Sequence, residues 1–259
     1  MVERIFISGA AGFVGRHFAR YHNAKGDRVV CVDNMSAAHA RFEPMHDLST
    51  NFEVDVGEYL RSNLGVSSHF NVAYHFASPV GGRMKIDLDP MFNADAFRLD
   101  SEFFRWAARH KPDTVVYFSS SAVYPVSLQG LAEKNILMEP MVEIGRSYGV
   151  PDATYGMAKL AGEHLAKTLS DLNPSMRVLV YRPFSGYGPG QPDDYPMTAI
   201  AKRAIAREDP LIVWGNGQQV RDFIYIDDIV EQVTRDVAVR IDDDIPVNQH
   251  YRVRNLGTV

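Results

Sequence analysis

"RIFISGAAGFVGRHFARYHNAKGDRVVCVDN", residues 4–34, decides the fold class. Ile5 to Ser8 is a short apolar run of the kind a parallel sheet buries on both faces. Gly9, Gly12 and Gly15 follow in the order G-x-x-G-x-x-G. Glycine permits a tight turn and lets backbone N–H groups approach a ligand closely. Phe13, Phe18 and Tyr21 recur at helical spacing, Lys25-Gly26-Asp27 closes the helix, and Arg28 to Val32 is the next strand. Strand, glycine turn, helix and strand within about 30 residues make a βαβ unit. The turn opens a helix, whose unpaired N–H groups and positive dipole end suit a pyrophosphate. Asp33 ends the second strand about 20 residues past the turn. A carboxylate there accepts the ribose hydroxyls of a dinucleotide and repels a 2′-phosphate, which favours NAD over NADP.

The alternation continues beyond this unit. "NVAYHFAS" (71–78), "TVVYFSSS" (114–121) and "RVLVYRPF" (177–184) read as strands. "FRLDSEFFRWAARH" (97–110) and "ATYGMAKLAGEHLAKTLSDL" (153–172) read as helices. Alternating strands and helices predict an α/β fold with a doubly wound parallel sheet covered on both faces. Asp55 in "FEVDV" sits at another strand end, where it could meet an adenine edge. From Gly186 the texture changes to "GYGPGQPDDYP", a loop leaving the sheet. A boundary near Arg182 divides a nucleotide-binding domain, 1–182, from a smaller, shortened C-terminal substrate lobe, 183–259, with elements interleaved between them. The stretch from Pro125 to Asp152 is long and irregular, as functional loops are.

Composition narrows the function classes. The chain has 259 residues, a net charge of -5 and scattered basic residues, so neither nucleic acid nor a membrane is expected as a partner. Cys31 is the sole cysteine, which excludes an internal disulfide and points to a reducing, cytoplasmic compartment. The N-terminus enters a strand almost at once, leaving no room for a signal peptide. No apolar run approaches the roughly 20 residues of a membrane span. The nine histidines show no metal-ligand spacing, so no metal is expected. His75 reads as a core histidine, and Trp106 with Phe103 and Phe104 as helix packing or a subunit contact.

Tyr155 and Lys159 lie at i and i+4, on one face of a helix. An ammonium beside a phenol stabilises the phenolate and makes it a usable base. Such a phenolate removes a proton from a sugar hydroxyl as hydride leaves the same carbon for NAD⁺. A serine from the strand end "SSS", 119–121, would hydrogen-bond the same oxygen.

Taken in order, "GAAGFVG" (9–15), "CVDNMS" (31–36), "HFAS" (75–78), "SSSAVYP" (119–125), "YGMAK" (155–159), "YRPFSGYGPG" (181–190) and "VRDFIYIDDI" (220–229) resemble the extended short-chain dehydrogenase/reductase family. The likeness is to its NAD-dependent nucleotide-sugar epimerases and dehydratases, and it spans nearly the whole chain. It implies a Rossmann-type sheet, NAD as cofactor and a homodimer formed through paired helices. The family's catalytic Ser/Thr stands three residues before a V-Y pair, which is Ser120 here; with Tyr155 and Lys159 it completes the implied catalytic set. Cofactor contacts fall on Gly9, Gly12, Phe13, Val14 and Gly15. They continue on Asp33 and Asn34, on Asp55 and Val56, on Phe76, Ala77 and Ser78, and on Tyr155, Lys159 and Pro183. Substrate contacts fall on Gly82, Arg83, Ser121, Ser185 and Arg221. Lys85 flanks the same pocket, and Arg182 and Tyr187 fall in the loop after the sixth strand. Ser185 replaces the asparagine of many members. Arg221 matches the arginine that grips the nucleotide-sugar phosphates, for which a guanidinium fork is suited.

Residues beside Ser120 separate the reactions. Dehydratases of the family carry a Glu or an acidic pair after the Ser/Thr, and 3,5-epimerising members carry a Cys at the place of Ala122. Ser121 and Ala122 supply neither, so the resemblance implies an epimerase acting by transient oxidation at sugar C4. A GDP- or dTDP-sugar dehydratase or reductase, and a non-catalytic NAD-binding regulator, are the alternatives. The "VGG" at Val80 to Gly82 and the "VYP" ending at Pro125 resemble GDP-sugar enzymes, so UDP, GDP and dTDP all stay open. "YRVRNLGTV" (251–259) resembles the family's N-[IV]-G-[ST]-G stretch, beyond which most members continue for several dozen residues.

Overall fold

The computed structural model describes residues 2–37, 39–62, 69–79, 81, 88–89, 91–129, 135–142, 149–213, 217–239 and 250–258. Val80, Gly82, Arg83 and Lys85, expected near the substrate, lie outside the described residues.

Strand β1 (Arg4–Ser8) leads through the glycine turn to helix α1 (Phe13–Lys25) and strand β2 (Arg28–Asp33). Gly26, at φ 84°, ends α1 in the left-handed conformation that glycine adopts without steric cost. Then come β3 (Thr50–Glu53), α2 (Val56–Arg61), β4 (Val72–His75), α3 (Ala94–His110) and β5 (Thr114–Phe118). Short 3₁₀ turns follow, then α4 (Ala153–Leu172), β6 (Arg177–Pro183) and β7 (Ser185–Tyr187). The chain continues with α5 (Pro196–Ile205), β8 (Phe223–Tyr225), α6 (Ile226–Ala238) and β9 (Tyr251–Leu256). No described helix is long and apolar enough to cross a membrane.

Seven strands form one parallel sheet in the order β3-β2-β1-β4-β5-β6-β9, and β7 pairs with β8 in a small second sheet. Side chains alternate across a strand, and β1 shows the consequence. Phe6 faces one core with Tyr59 of α2, Phe103 and Trp106 of α3 and Leu169 of α4. Ile5 and Ile7 face the other, with Phe18 of α1 and Ile226, Ile229 and Val233 of α6. The fold is therefore the expected doubly wound Rossmann-type sheet. The strand order reverses between β1 and β4, the crevice where such sheets bind ligands beyond the carboxyl ends of their strands.

The region expected as a C-terminal lobe, 183–259, contributes to both halves. Helix α6 covers the second face of the large sheet, and β9 adds to its edge beside β6, Val180 opposite Val253. Arg182, expected in a loop, is instead inside β6 and 1% exposed. All five of its N–H donors are used. Nε donates to Glu163 Oε1 at 2.8 Å and Nη2 to Glu163 Oε2 at 2.7 Å. Nη1 donates to Glu139 O and the Tyr124 hydroxyl, and Nη2 also to Val142 O. Burial alone would lower the guanidinium pKa, but the Glu163 carboxylate more than offsets it and raises it.

Removing the Glu163 carboxylate leaves this guanidinium charged and buried without its counter-ion. Glu163→Ala is expected to lose about 3–5 kcal/mol of stability, read as a lower urea midpoint at unchanged slope.

A second expectation concerns acid. Burial pushes the imidazoles of His22 and His75 below their usual 6.5, against the pull of Asp27 on His22 and of Asp100 on His75. The unfolded chain therefore binds more protons than the folded one. This stability is present above about pH 6.5 and lost as pH falls below it. The thermal midpoint should drop between pH 7 and pH 5, and a His75→Asn variant, which cannot charge there, should show a shallower drop.

Candidate active site

The glycine turn is built by close approach. Gly9 has φ +69°, and a Cβ there would lie 2.6 Å from Ala77 N at the end of β4. A Cβ on Gly15 would lie 2.1 Å from Gly9 O, so the first turn of α1 sits directly on the loop. Gly12 is the N-cap of α1, with no side-chain cap and no acidic residue in the first turn. The N–H groups of that turn are thus left for an anion. Phe13 stacks edge-on against His17, and Val14 packs on the core beside Phe76.

Asp33, 8% exposed, holds this corner together. Its Oδ2 accepts Ala11 N–H from the glycine turn at 3.0 Å, and Oδ1 accepts Met35 N–H at 2.8 Å. Each oxygen keeps a further lone pair for a hydroxyl. Asn34 is exposed and its side chain accepts from Ser36 N–H. On the β4 side, Ser78 Oγ is buried without a partner, an orphan that a ligand would satisfy. Uncapped helix, Cβ-free cradle, carboxylate and orphan hydroxyl together fit a dinucleotide.

Asp55 has a structural occupation. It is the N-cap of α2, accepting Glu58 N–H at 3.0 Å, and it pairs with Arg98 at 3.1 Å. Burial opposes its ionisation, but the Arg98 guanidinium and the backbone donors hold the carboxyl below the usual range. The side chain of Val56 belongs to the core, 4% exposed, so any contact from it to a cofactor falls to its main chain. Cys31 is buried, and burial pushes its thiol up to about 12, which leaves it protonated and unreactive.

The three serines have separate fates. Ser119 is buried and donates to Glu163 Oε1 at 2.6 Å. Ser120, half-buried, caps the 3₁₀ turn Ser121–Val123, its Oγ accepting Ala122 N–H at 3.1 Å. Its own proton stays available, and Ser121 beside it is half-buried. This turn abuts the start of α4. Asp152 N–H donates to Ala122 O, and a Cβ on Gly156 would lie 2.3 Å from that oxygen. Glycine next to Tyr155 is what lets the serine turn and the tyrosine helix touch.

Lys159, one helical turn on, is 4% exposed. Its Nζ donates to Phe118 O at 3.0 Å and lies 5.2 Å from the Tyr117 ring centroid, a cation–π contact. The Tyr117 hydroxyl donates to Asp100 at 2.6 Å, and Asp100 also meets His75 at 3.0 Å. His75 reaches Ser8 Oγ at 2.7 Å, directly before the glycine turn. Tyr195, outside every sequence motif, also bears on Tyr155, and burial pushes its phenol up.

Pro183 ends β6, and Ser185 begins β7 with its N–H on Asp222 O. Arg221 is exposed, with Nη1 on Val220 O. No salt bridge to Asp222 or Asp227 forms among the described residues: Asp222 accepts from Thr258, and Asp227 faces His17.

The model of the NAD dependent epimerase/dehydratase family matches residues 5–252. An uncharacterized UDP-glucose epimerase of Bacillus subtilis (strain 168) is 25% identical over 89% of this chain and 71% of its own. GDP-mannose 3,5-epimerase 1 of Oryza sativa subsp. indica is 28% identical over 90% of this chain, which spans 60% of that relative's length. Among solved structures, MoeE5 in complex with UDP-glucuronic acid and NAD is 26% identical with a TM-score of 0.76, covering 98% of this chain and 76% of that one. Fold, glycine cradle and matched length agree: the chain belongs to the NAD dependent epimerase/dehydratase family, the nucleotide-sugar branch of the extended short-chain dehydrogenases, and NAD is its cofactor.

Proposed function

We propose that the protein is a nucleotide-sugar epimerase acting by transient oxidation at sugar C4, with Tyr155 as acid/base, Lys159 as its electrostatic support and Ser120 as hydrogen-bond donor. The observation that carries this reading is the contact between the serine turn and the start of α4 through Gly156. It brings Ser120, whose Oγ accepts Ala122 N–H and whose own proton stays available, against the helix bearing Tyr155 and Lys159.

NAD⁺, held by the glycine turn and Asp33, would supply the hydride acceptor for the sugar carbon. Tyr155 takes the proton of the C4 hydroxyl while the C4 hydrogen departs as hydride, leaving a carbonyl at C4. Lys159 places a buried positive charge behind the phenolate, and Ser120 donates to the same sugar oxygen. When the carbonyl is reduced again on the opposite face of the sugar, Tyr155 would give the proton back to the C4 oxygen. Arg221 would grip the substrate diphosphate, with Ser121 and Ser185 beside the sugar. Neither Ser121 nor Ala122 offers a group to remove a proton from carbon or to protonate a leaving hydroxyl. That favours epimerisation at C4 over elimination, and over the 3,5 chemistry named for the rice relative. A homodimer through α3 and α4 belongs to the same reading; Phe97 and Met157 are exposed apolar side chains on those helices.

The test is NMR of UDP-, GDP- and dTDP-sugars incubated with NAD⁺ and the purified protein. A 4-epimer is expected from wild type, with the rate reduced at least about 100-fold in Tyr155→Phe. A 4-keto-6-deoxy product would make the protein a dehydratase, and full activity in Tyr155→Phe would remove the assigned acid/base.

A further inference from the structure

Two buried carboxylates border the turn of α4 that bears Lys159, and each is held by other donors. Glu163 follows Lys159 at i+4 on the helix, the spacing at which Lys and Glu side chains pair. It is 1% exposed and spends its oxygens on Arg182 and the Ser119 hydroxyl instead. Asp100 of α3 is equally buried and comes from the neighbouring helix. A Cβ on Gly162, three residues past Lys159, would lie 2.6 Å from Asp100 Oδ2 and 1.9 Å from the Tyr117 hydroxyl. The carboxylate is thus pressed onto the side of α4 that Lys159 shares.

Neutral groups hold Asp100. Oδ2 accepts the Tyr117 hydroxyl at 2.6 Å, and Oδ1 meets His75 Nε2 at 3.0 Å. A carboxylate only accepts, so Nε2 carries the imidazole proton and Nδ1 accepts from the Ser8 hydroxyl, 2.7 Å away. Burial pushes this imidazole down against the pull of Asp100, and the charge of Lys159 pushes the same way as burial. Lys159 has the Tyr117 ring 5.2 Å from Nζ and the Phe118 carbonyl at 3.0 Å, and no carboxylate among the described residues pairs with it. Buried anion and buried cation therefore share one aromatic residue, the carboxylate on its hydroxyl and the ammonium over its ring. Two buried charges of opposite sign are lower in free energy in contact, so the donors on Asp100 must impose the separation.

We propose that Tyr117 is a positioning residue for Lys159: its hydroxyl, together with His75, holds the Asp100 carboxylate off the ammonium, so that the charge of Lys159 is left for Tyr155. This deepens the epimerase reading and rests on its assignment of Tyr155 and Lys159. The groups that bear on the pair are Asp100 from α3, His75 from β4, Tyr117 from β5, Glu163 from α4 with Arg182 of β6 upon it, and Tyr195 from the chain before α5. A guanidinium that meets both oxygens fixes Glu163. Neutral donors fix Asp100, which makes it the acid that the loss of one hydroxyl releases.

Tyr117→Phe keeps the ring and removes the hydroxyl; adding Asp100→Asn removes the carboxylate that the hydroxyl held. The full chain with saturating NAD⁺ is read in two ways. One is turnover of the nucleotide sugar that the NMR panel identifies. The other is phenolate absorbance against pH, with the Tyr155→Phe curve subtracted so that Tyr155 alone is seen. Tyr117→Phe is expected to lower kcat about tenfold at unchanged KM and to move the Tyr155 phenolate to higher pH by about one unit, because a carboxylate that reaches Lys159 cancels the charge favouring phenolate. The double variant is expected to regain most of both losses, which a second core substitution would not do if the first had only disturbed packing. Tyr117→Phe that matches wild type in both readings would overturn the proposal, as would a double variant no better than Tyr117→Phe. Where Tyr117→Phe does not fold by circular dichroism, the double variant, which releases no carboxylate, is compared with wild type, and a kcat about tenfold lower in it would overturn the proposal. Wild type that turns over no sugar, with the phenolate shift and its reversal present, would sink the epimerase reading and keep Tyr117 in its role.

Discussion

The Glu163 carboxylate is the point on which the catalytic edge of the sheet depends. One oxygen takes the Ser119 hydroxyl and Arg182 Nε, and the other takes Arg182 Nη2. Arg182 in turn reaches two loop carbonyls and the hydroxyl of Tyr124, which donates to Asn255 of β9. One buried ion pair thus ties β6, α4, the end of β5, the segment around Glu139 and Val142, and the last strand. Buried pairs are poor sources of net stability but costly to break, so they specify geometry more than they strengthen it. Here the geometry specified is the serine strand end: with Ser119 turned into the ion pair, the alternation of the chain leaves Ser120 on the other side.

Close backbone approach is the second constraint, and three glycines carry it. Gly9 meets the end of β4 and Gly156 meets the serine turn. Gly162 lets α4 lie on β5 so tightly that a Cβ would sit 1.9 Å from the Tyr117 hydroxyl. The first contact shapes the cofactor cradle. The other two seat α4, so the depth at which Lys159 enters the protein follows from residues without side chains. Tyr117, pinned to Asp100, then gives the Lys159 ammonium an aromatic face, and no carboxylate among the described residues pairs with it.

Much of this was legible in the sequence. The βαβ unit, the α4 span 153–172 and the parallel sheet follow from periodicities of 2 and 3.6 and from glycine punctuation. Less legible were features whose cause is long-range. "YRVRNL", singled out only for its likeness to a family stretch, becomes a sheet strand because β6 offers an open edge and Arg254 pairs with Asp236 of α6. Asp55, read as able to meet an adenine edge, is also the N-cap of α2 and pairs with Arg98, 43 residues away, which no local pattern reports. Arg182 fell inside the strand "RVLVYRPF" by its apolar run, and the resemblance to the family placed it in the following loop; only its partner on α4 shows why a charged side chain sits in that strand. Arg16 carried no signal, since helix spacing cannot report that the chain near Gly190 folds back over it.

The buried cations differ in how fully the chain satisfies their donors. Arg182 spends every donor on Glu163, two carbonyls and a hydroxyl. Arg177 gives Nη1 to the carbonyls of Val237 and Val239, at the C-terminal, negative end of α6. Both lie within the sheet and its packing. Lys159 and Arg16 differ: Lys159 has one hydrogen bond for three donors, and Arg16 has an orphaned Nε. Both come from helices whose N-terminal turns border the carboxyl edge of the sheet, Lys159 against the end of β5 and Arg16 against the loop at Pro189. A cation buried in the core without partners is costly, and Arg182 avoids that cost by spending every donor. A cation buried near the carboxyl edge with donors left over keeps hydrogen-bonding capacity that an acceptor from outside the chain can use.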